Sequence, residues 1–404
     1  MPSITVREAR DIILSKLKPL PAETVPVAHA LGRILSADIA SPIDIPAYTN
    51  SAMDGFALSA AQAGCEQPLS LAIAGEALAG HPFSGTVGAA ETIRITTGAA
   101  VPDWADAVVP FEKVTEADGR ISLPAGCVKP GANIRTQGEL LKKGAVALAR
   151  GRRLTRADIA LAASLGLASV SVAQTPVVSL LVTGDELVAP GEPCPEGKIY
   201  DANTLSLQTL IESAGGLCQN FGIIPDDPKA MSEALDAAIG TSSLIILSGG
   251  AADSKADFSH QLLASRGTIE PWTVNMRPGR PMRFGMLDGV PVFILPGNPV
   301  AAFVTFLEFA RGALLAMQGA SEIWPSEIEA VSECDIKTKP GRAEFARGLV
   351  RFEAGRILAR PLTNQSSAAL TGIAQGNALL AIGHDESIRA GDCVRVQLLA
   401  SLLG

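Results

Sequence analysis

Three apolar runs of this chain end abruptly in loops of glycine, proline and hydrogen-bonding side chains. Val177–Val182 leads into Thr183-Gly184-Asp185-Glu186, Ser243–Leu247 into Ser248-Gly249-Gly250, and Val292–Leu295 into Pro296-Gly297-Asn298-Pro299. Glycine there lets backbone N–H groups close on a ligand, and a helix start just beyond favours an anion. One such loop alone reads equally well as a tight turn. Three from one sheet predict a ligand site outside the carboxyl ends of the strands. Met276-Arg277-Pro278-Gly279-Arg280-Pro281-Met282-Arg283 sets arginines around a Pro-Gly turn, and their planar donor forks suit oxyanions. Arg342, Arg347 and Arg351 form a second set, which by spacing reads as a charged strand face. Carboxylates recur in loops: Asp54, Asp106, Asp185, Glu186, Asp201, Asp226, Asp227, Asp253 and Asp257. Each alone reads as a turn or a cap, and Asp226-Asp227-Pro228 as the start of a helix from Lys229. As a set they offer oxygen-only ligands, which suit Mg²⁺ beside a ligand phosphate. No GxGxxG, GxxxxGK[ST], GxSxG or HExxH occurs, so no dinucleotide, Walker, nucleophile-elbow or zincin motif is present. The residues alone stop at an α/β domain for a phosphate-bearing ligand, with Mg²⁺ an open option.

The elements that must position these loops can be read from periodicity. Ile12, Ile13 and Leu17 predict a helix over 5–18, and a second helix is expected over 27–34, ahead of Ser41-Pro42. Between 69 and 148 short alternating runs punctuated by Gly and Pro predict a small β-rich domain. Helical spacing returns over 154–170, and this segment completes a first domain that the β-rich stretch interrupts. From Pro176 strands and helices alternate, which predicts a parallel sheet covered on both faces. Asn203 is expected to cap a helix ending at Gly215-Gly216, and a long helix is expected from Pro299 to Met317. The tail from Trp324 reads as short strands forming a small barrel or sandwich.

Composition narrows the function. The 404 residues are 47% hydrophobic and 18% charged, a core-forming composition for two to four domains. Aromatics are 4%, too few for a stacking surface, and the net charge of −8 provides no field for nucleic acid or an anionic membrane. The six cysteines are scattered, which predicts free thiols in a reducing cytosol. No secretory h-region opens the chain, and Val290–Phe309 is interrupted by Pro291, Pro296, Gly297 and Pro299, so a cytoplasmic protein with no membrane span is expected.

Taken in order, the loops resemble the MoeA/gephyrin E-domain family, the molybdopterin molybdenumtransferases, essentially end to end. The resemblance rests on Asn50-Ser-Ala-Met-Asp-Gly-Phe-Ala57, Thr97-Gly-Ala, Asn133-Ile-Arg, Thr183-Gly-Asp-Glu-Leu187, Gly197-Lys-Ile-Tyr-Asp-Ala-Asn203, Met276–Pro281 and Leu295-Pro-Gly-Asn-Pro-Val300. It implies a multidomain α/β plus β architecture. Domain I (1–46 and 145–175) would be mixed and domain II (47–144) a β-rich insertion. Domain III (176–323) would be a three-layer, MogA-like α/β molybdopterin-binding domain, and domain IV (324–404) a β-barrel. The resemblance further implies an elongated homodimer whose cleft uses the α/β domain of one copy and the β-rich domain of the other. The implied reaction is insertion of molybdate into adenylylated molybdopterin, with Mg²⁺ and release of AMP. Carried over by position, Asp54, Thr97, Glu186 and Asp257 would be the functional polar residues, Glu186 and Asp257 also holding the metal. Ser248, Gly249, Gly250, Arg277, Arg280, Pro281, Pro296, Gly297 and Asn298 would form the substrate and oxyanion site. One of Arg342 or Arg347, and Ser366 or Ser367, would complete it. Implied partners are a molybdopterin adenylyltransferase and molybdoenzyme-assembly proteins. Four departures stand out: Leu140 replaces an acid after Gly138-Glu139, Ser254 and Lys255 replace a Gly and an acid, Arg277 and Arg280 replace lysines, and Trp104 replaces a Gly. They leave open a weakened paralogue that binds or carries the cofactor, or a transferase for tungstate.

Overall fold

The computed structural model describes residues 2–249, 266–384 and 386–400, and the chain divides into two compact units. One comprises Met1–Ala37, Arg150–Ala160 and Ala168–Gly404, the other Asp38–Ala149 and Leu161–Leu167.

The larger unit opens with α1 (Val6–Lys16), whose start is fixed by a reciprocal cap. The Glu8 N–H donates to the Thr5 hydroxyl at 3.2 Å, and the Thr5 N–H donates to the Glu8 carboxylate at 2.7 Å. Two amides that the helix itself cannot satisfy are thereby paired. The helix expected over 27–34 shrinks to one 3₁₀ turn, Val27–His29. Gly32 adopts φ +77° and its N–H donates to the Leu154 carbonyl at 2.8 Å, which turns the chain away before a second turn forms. Ile34 and Leu35 are buried instead through bridges to Arg153 and Val172.

The central sheet is built from β1 (Val177–Thr183), β2 (Leu217–Ile224), β3 (Leu244–Ser248), β4 (Gly267–Ile269), β5 (Arg283–Leu287) and β6 (Val290–Leu295), in the order β2-β1-β3-β6-β5-β4. The first four of that order pair in parallel, as expected. The last two turn antiparallel, a departure with a local cause. Asp288 and Gly289 both take positive φ, 48° and 86°, which closes a two-residue hairpin between β5 and β6. Alternate strand residues supply two cores. Val178, Leu180, Ile246 and Phe293 face one layer with α2 (Asn203–Ser213), and Leu181, Ile245, Leu247 and Val292 face the other with α3 (Pro228–Ile239). Asp227 caps α3 through the Ala230 N–H at 2.8 Å, the start that Asp226-Asp227-Pro228 predicts.

The Pro299–Met317 stretch is the core helix of this unit. It runs as α4 (Pro299–Thr305), a π turn over Phe306–Ala310, and α5 (Arg311–Met317). It is long and apolar enough to cross a membrane, yet 94% of its apolar window is buried inside the fold. Beyond it, β7 (Ile328–Ser332), β8 (Ala343–Glu353), β9 (Arg356–Pro361), β10 (Ala378–Ile382) and β11 (Cys393–Leu398) close a five-stranded barrel, because β8 pairs with both β9 and β10. Ala346, Ala359, Leu380, Val394 and Val396 fill it. The short strand Met276–Arg277 adds in parallel to β8, Arg277 opposite Glu344.

The smaller unit is a six-stranded sheet in the order Ala107–Pro110, Gly55–Leu58, Glu91–Ile95, Leu69–Ala77, Arg120–Leu123, Thr115–Ala117. Its alternating residues bury two faces, Phe56 and Val109 on one and Ala57 and Val108 on the other.

Candidate functional site

Four segments of the larger unit converge on a cavity of about 410 Å³. The Pro-Gly turn contributes Met276, Arg277, Pro278, Gly279, Arg280 and Pro281, and the loop after β6 contributes Pro296 and Asn298. Ala301 comes from α4, and Arg342 with Gln365, Ser366 and Ser367 comes from the barrel. The turn is seated by Gly279, at φ +110°: a Cβ there would lie 2.3 Å from Thr305 Cγ2 of α4, so only glycine lets the arginines approach this closely. Pairing of Arg277 with Glu344 in the barrel ladder fixes the turn's other side, and the Arg277 guanidinium lies 3.6 Å from the Glu344 carboxylate. Asn298 precedes α4, which has Pro299 at its first position, and makes no side-chain cap. Its amide therefore remains with the cavity. The Val300 N–H, one of the free donors at the start of α4, donates to the Ser367 carbonyl at 3.1 Å and holds the serine loop against the helix.

Arg342 lines the cavity, whereas Arg347 lies beneath it, 1% exposed. Arg347 Nη2 donates to the carbonyls of Asn364 at 2.9 Å and Ser366 at 3.1 Å, and its main chain exchanges two bonds with the Gln365 amide, at 3.1 and 2.8 Å. Burial and the nearby Arg277 lower its pKa, but a guanidinium stays charged. Arg347 thus shapes the loop that presents Ser366 and Ser367. Gln365, which lines the cavity, is absent from the sequence-based set; the signal for it is its place beside Ser366-Ser367.

The loops at the carboxyl end of the sheet are packed tightly. A Cβ on Gly249, at φ +110°, would fall 2.5 Å from Thr183 Oγ1, and the Gly249 N–H reaches the Leu295 carbonyl at 3.2 Å. Ser248 is buried, and Gly297 is exposed between Pro296 and Asn298. Glu186 is exposed just beyond β1. Beside it the Asp226 N–H donates to the Asp185 carboxylate at 3.1 Å, and the Asp185 N–H to the Asp226 carboxylate at 3.4 Å. Among the described residues no group of three metal-ligating side chains forms. Gly250 and Asp257 lie outside the described residues, as do Asp253, Ser254 and Lys255.

Asp54 and Thr97 meet in the smaller unit. Asp54 Oδ1 accepts from the Thr97 N–H at 2.7 Å and from its hydroxyl at 3.0 Å, so a single exposed carboxylate oxygen is held by both groups. Leu140, in the same unit, is 73% exposed.

Three family models match the chain: "MoeA N-terminal region (domain I and II)" over residues 4–166, "Probable molybdopterin binding domain" over 179–316, and "MoeA C-terminal region (domain IV)" over 329–399. A molybdopterin molybdenumtransferase of Haemophilus influenzae is 35% identical over 408 residues, spanning 99% of this chain and 100% of that relative. One of Nostoc sp. is 32% identical over 391 residues, spanning 94% of this chain and 89% of that relative. The crystal structure of the molybdopterin biosynthesis moeA protein from Pyrococcus horikoshii OT3 matches with a TM-score of 0.86 at 30% identity, covering 98% of this chain and 100% of that one.

Proposed function

This chain belongs to the MoeA family of molybdopterin molybdenumtransferases, enzymes of molybdenum cofactor biosynthesis, and from that premise we propose that its arginine cavity is the molybdate subsite. The observation that carries the reading is the convergence of Arg277, Arg280, Arg342, Ser366, Ser367 and Asn298 on one cavity of about 410 Å³. Molybdate is a compact dianion. Guanidinium forks form charge-assisted hydrogen bonds with its oxygens, roughly twice as strong as neutral ones. The serine hydroxyls and the Asn298 amide add neutral donors that orient it without adding charge. The Ser248-Gly249 and Pro296-Gly297-Asn298 loops face the phosphate-bearing substrate at the carboxyl end of the sheet, where open α/β sheets bind ligands. In this reading adenylylated molybdopterin lies across those loops, its molybdenum-accepting end toward the arginines, and AMP departs after insertion.

Mg²⁺ fits the chemistry of this end of the sheet, where the donors are the carboxylate oxygens of Glu186, Asp185 and Asp226. An ion that takes one or two carboxylates and completes its shell with ligand phosphate needs no closed protein cage. Glu186 would hold it, with Asp257. When bound, it supplies charge neutralisation at the phosphoanhydride. Asp54, fixed by Thr97, is the candidate proton acceptor of the β-rich unit. The protein acts as a cytoplasmic homodimer in this reading, Asp54 and Thr97 of one copy serving the cleft of the other. A molybdopterin adenylyltransferase supplies its substrate.

The test is AMP release from adenylylated molybdopterin with molybdate and Mg²⁺. The expected result is molybdate-dependent release; release no faster than in an enzyme-free control overturns the reading. Competition between molybdate and tungstate in the same assay identifies the preferred oxyanion.

A further inference from the structure

The sequence reads Asn203 as a helix cap, but the structure relieves it of that task. Asp201 caps α2 instead, its carboxylate accepting from the N–H groups of Asn203 at 2.9 Å and Thr204 at 3.1 Å. The Asn203 side chain, on a residue only 6% exposed, is therefore available for other bonds. Its Nδ2 donates at 2.9 Å to Ser248 Oγ, at the end of β3, and at 2.8 Å to the Gly297 carbonyl, in the loop after β6. β3 and β6 are parallel neighbours, and Ser248 pairs with Leu295. One amide group thus ties together the loops that leave two adjacent strands. Its orientation is set by chemistry: turned over, Oδ1 would face the Gly297 carbonyl, acceptor against acceptor. Among the described residues, the arrangement leaves Asn203 Oδ1 buried without a partner. Gly297 lies between Pro296 and Asn298, which both line the arginine cavity.

We infer that Asn203 is a positioning residue for the oxyanion cavity: its two amide protons lock the Ser248-Gly249 loop to the Pro296-Gly297-Asn298 loop and so hold the cavity wall. The inference rests on reading that cavity as the molybdate subsite. Asparagine is required because a carboxylate has no proton to give either loop, and an aliphatic side chain offers neither bond. Asn203 does not touch molybdate; it sets where Pro296 and Asn298 stand.

The experiment measures molybdate affinity by calorimetry on the full chain. In parallel it measures KM for molybdate, KM for adenylylated molybdopterin and the thermal midpoint, for the unmodified protein, Asn203→Asp and Ser248→Ala. Asn203→Asp preserves shape and removes both donors. It is expected to weaken molybdate binding and raise the molybdate KM by about tenfold, the size of two lost hydrogen bonds at about threefold each. KM for adenylylated molybdopterin, which lies across the same loops, should rise as well, in protein that remains folded. Ser248→Ala removes one of the two bonds with little change in volume, so it tests the lock even if Asn203→Asp fails to fold. It should show the same pattern at about threefold. Unchanged molybdate affinity in a folded Asn203→Asp, or in Ser248→Ala where Asn203→Asp does not fold, overturns the inference. Equal losses for both substrates that track the loss of folded protein overturn it as well. The two readings fail separately. Tight molybdate binding that Asn203→Asp abolishes, without AMP release from the unmodified protein, sinks the proposed reaction and leaves the lock. Normal AMP release with molybdate affinity identical across the folded variants sinks the lock and leaves the reaction.

Discussion

Arg342 and Arg347 lie on one stretch of chain, and by spacing alone both read as a charged strand face. The fold separates their roles through burial. Arg342 borders the cavity, and Arg347 is buried with its guanidinium committed to the Asn364 and Ser366 carbonyls. Their substitutions should therefore differ in kind. Arg342→Ala removes a fork from the anion and should raise KM for molybdate about tenfold with no shift in the urea midpoint. Arg347→Met keeps bulk but strips two carbonyls of their donor, so it should cost about 1–3 kcal/mol of stability as well as loosening the serine loop. Urea titration and molybdate KM, measured on both variants, check this; the reverse pattern would exchange their roles. The residue types were legible in the sequence, and the family resemblance, not their spacing, groups Arg277, Arg280, one of Arg342 or Arg347, and Ser366 or Ser367 as one neighbourhood. The choice between the two arginines was not, because it depends on which of them the fold buries, Arg347 being 1% exposed and Arg342 on the cavity. The Asn203 lock was not legible either, since helix caps and loop clamps favour the same residue type.

At the scale of elements, the core helix carries a π turn. Its π segment, Phe306–Ala310, places Glu308 fully inside the protein. π turns are uncommon and need a local reason. Here Arg10 of α1 supplies one: its Nη2 meets the Glu308 carboxylate at 2.5 Å and its Nε donates to the Glu308 carbonyl at 3.1 Å. The same guanidinium stacks 4.6 Å from the Trp324 ring. Burial pushes the Glu308 carboxyl up from 4.5 to about 7, against the opposing charge of Arg10; Glu327 adds to the rise, and hydrogen bonds from Gln397 and Arg10 oppose it. The fold thus holds a proton that the unfolded chain gives up. Stability from this group is complete below the unfolded value of 4.5 and is lost as pH rises through about 7. The loss is on the order of 3 kcal/mol. Glu308→Gln should flatten the fall in stability between about pH 5 and pH 8 and leave the protein more stable than the parent at the alkaline end. Urea midpoints across that range test it, and an unchanged slope would mean that Glu308 is ionised throughout. Element identity was largely readable: the strand runs, α1, α3 and the long core helix all follow their apolar spacing. The failures have named causes. The helix expected over 27–34 yields to Gly32 and to strand-like bridges from Ile34 and Leu35. The sheet departs from all-parallel at Asp288-Gly289, a hairpin signal outweighed by the strand–helix alternation around it.

For the whole molecule, the net charge of −8 and the arginine cavity are compatible because they act over different distances. Ions screen surface charges beyond about 8–10 Å at physiological salt, while forks in direct contact with a ligand are little affected. The acidic total disfavours nucleic acid without weakening a local anion site. The further question at this scale is how many chains one site needs. Asp54 and Thr97 belong to one compact unit, and Arg277, Arg280 and Arg342 to the other. If each cleft draws these two groups from different copies, Asp54→Ala and Arg277→Ala are each inactive as pure homodimers, every cleft lacking one group. When the two variants are co-expressed with different tags and the hybrid is isolated, one of its two clefts receives both substitutions and the other receives neither. The hybrid should then recover about half the parental AMP release, and an unsorted equal mixture about a quarter. A hybrid as inactive as its parents would place both groups on the same copy, since every cleft would still carry one defect. The same preparation reports dimer strength, because activity regained by mixing purified homodimers appears only as fast as the subunits exchange.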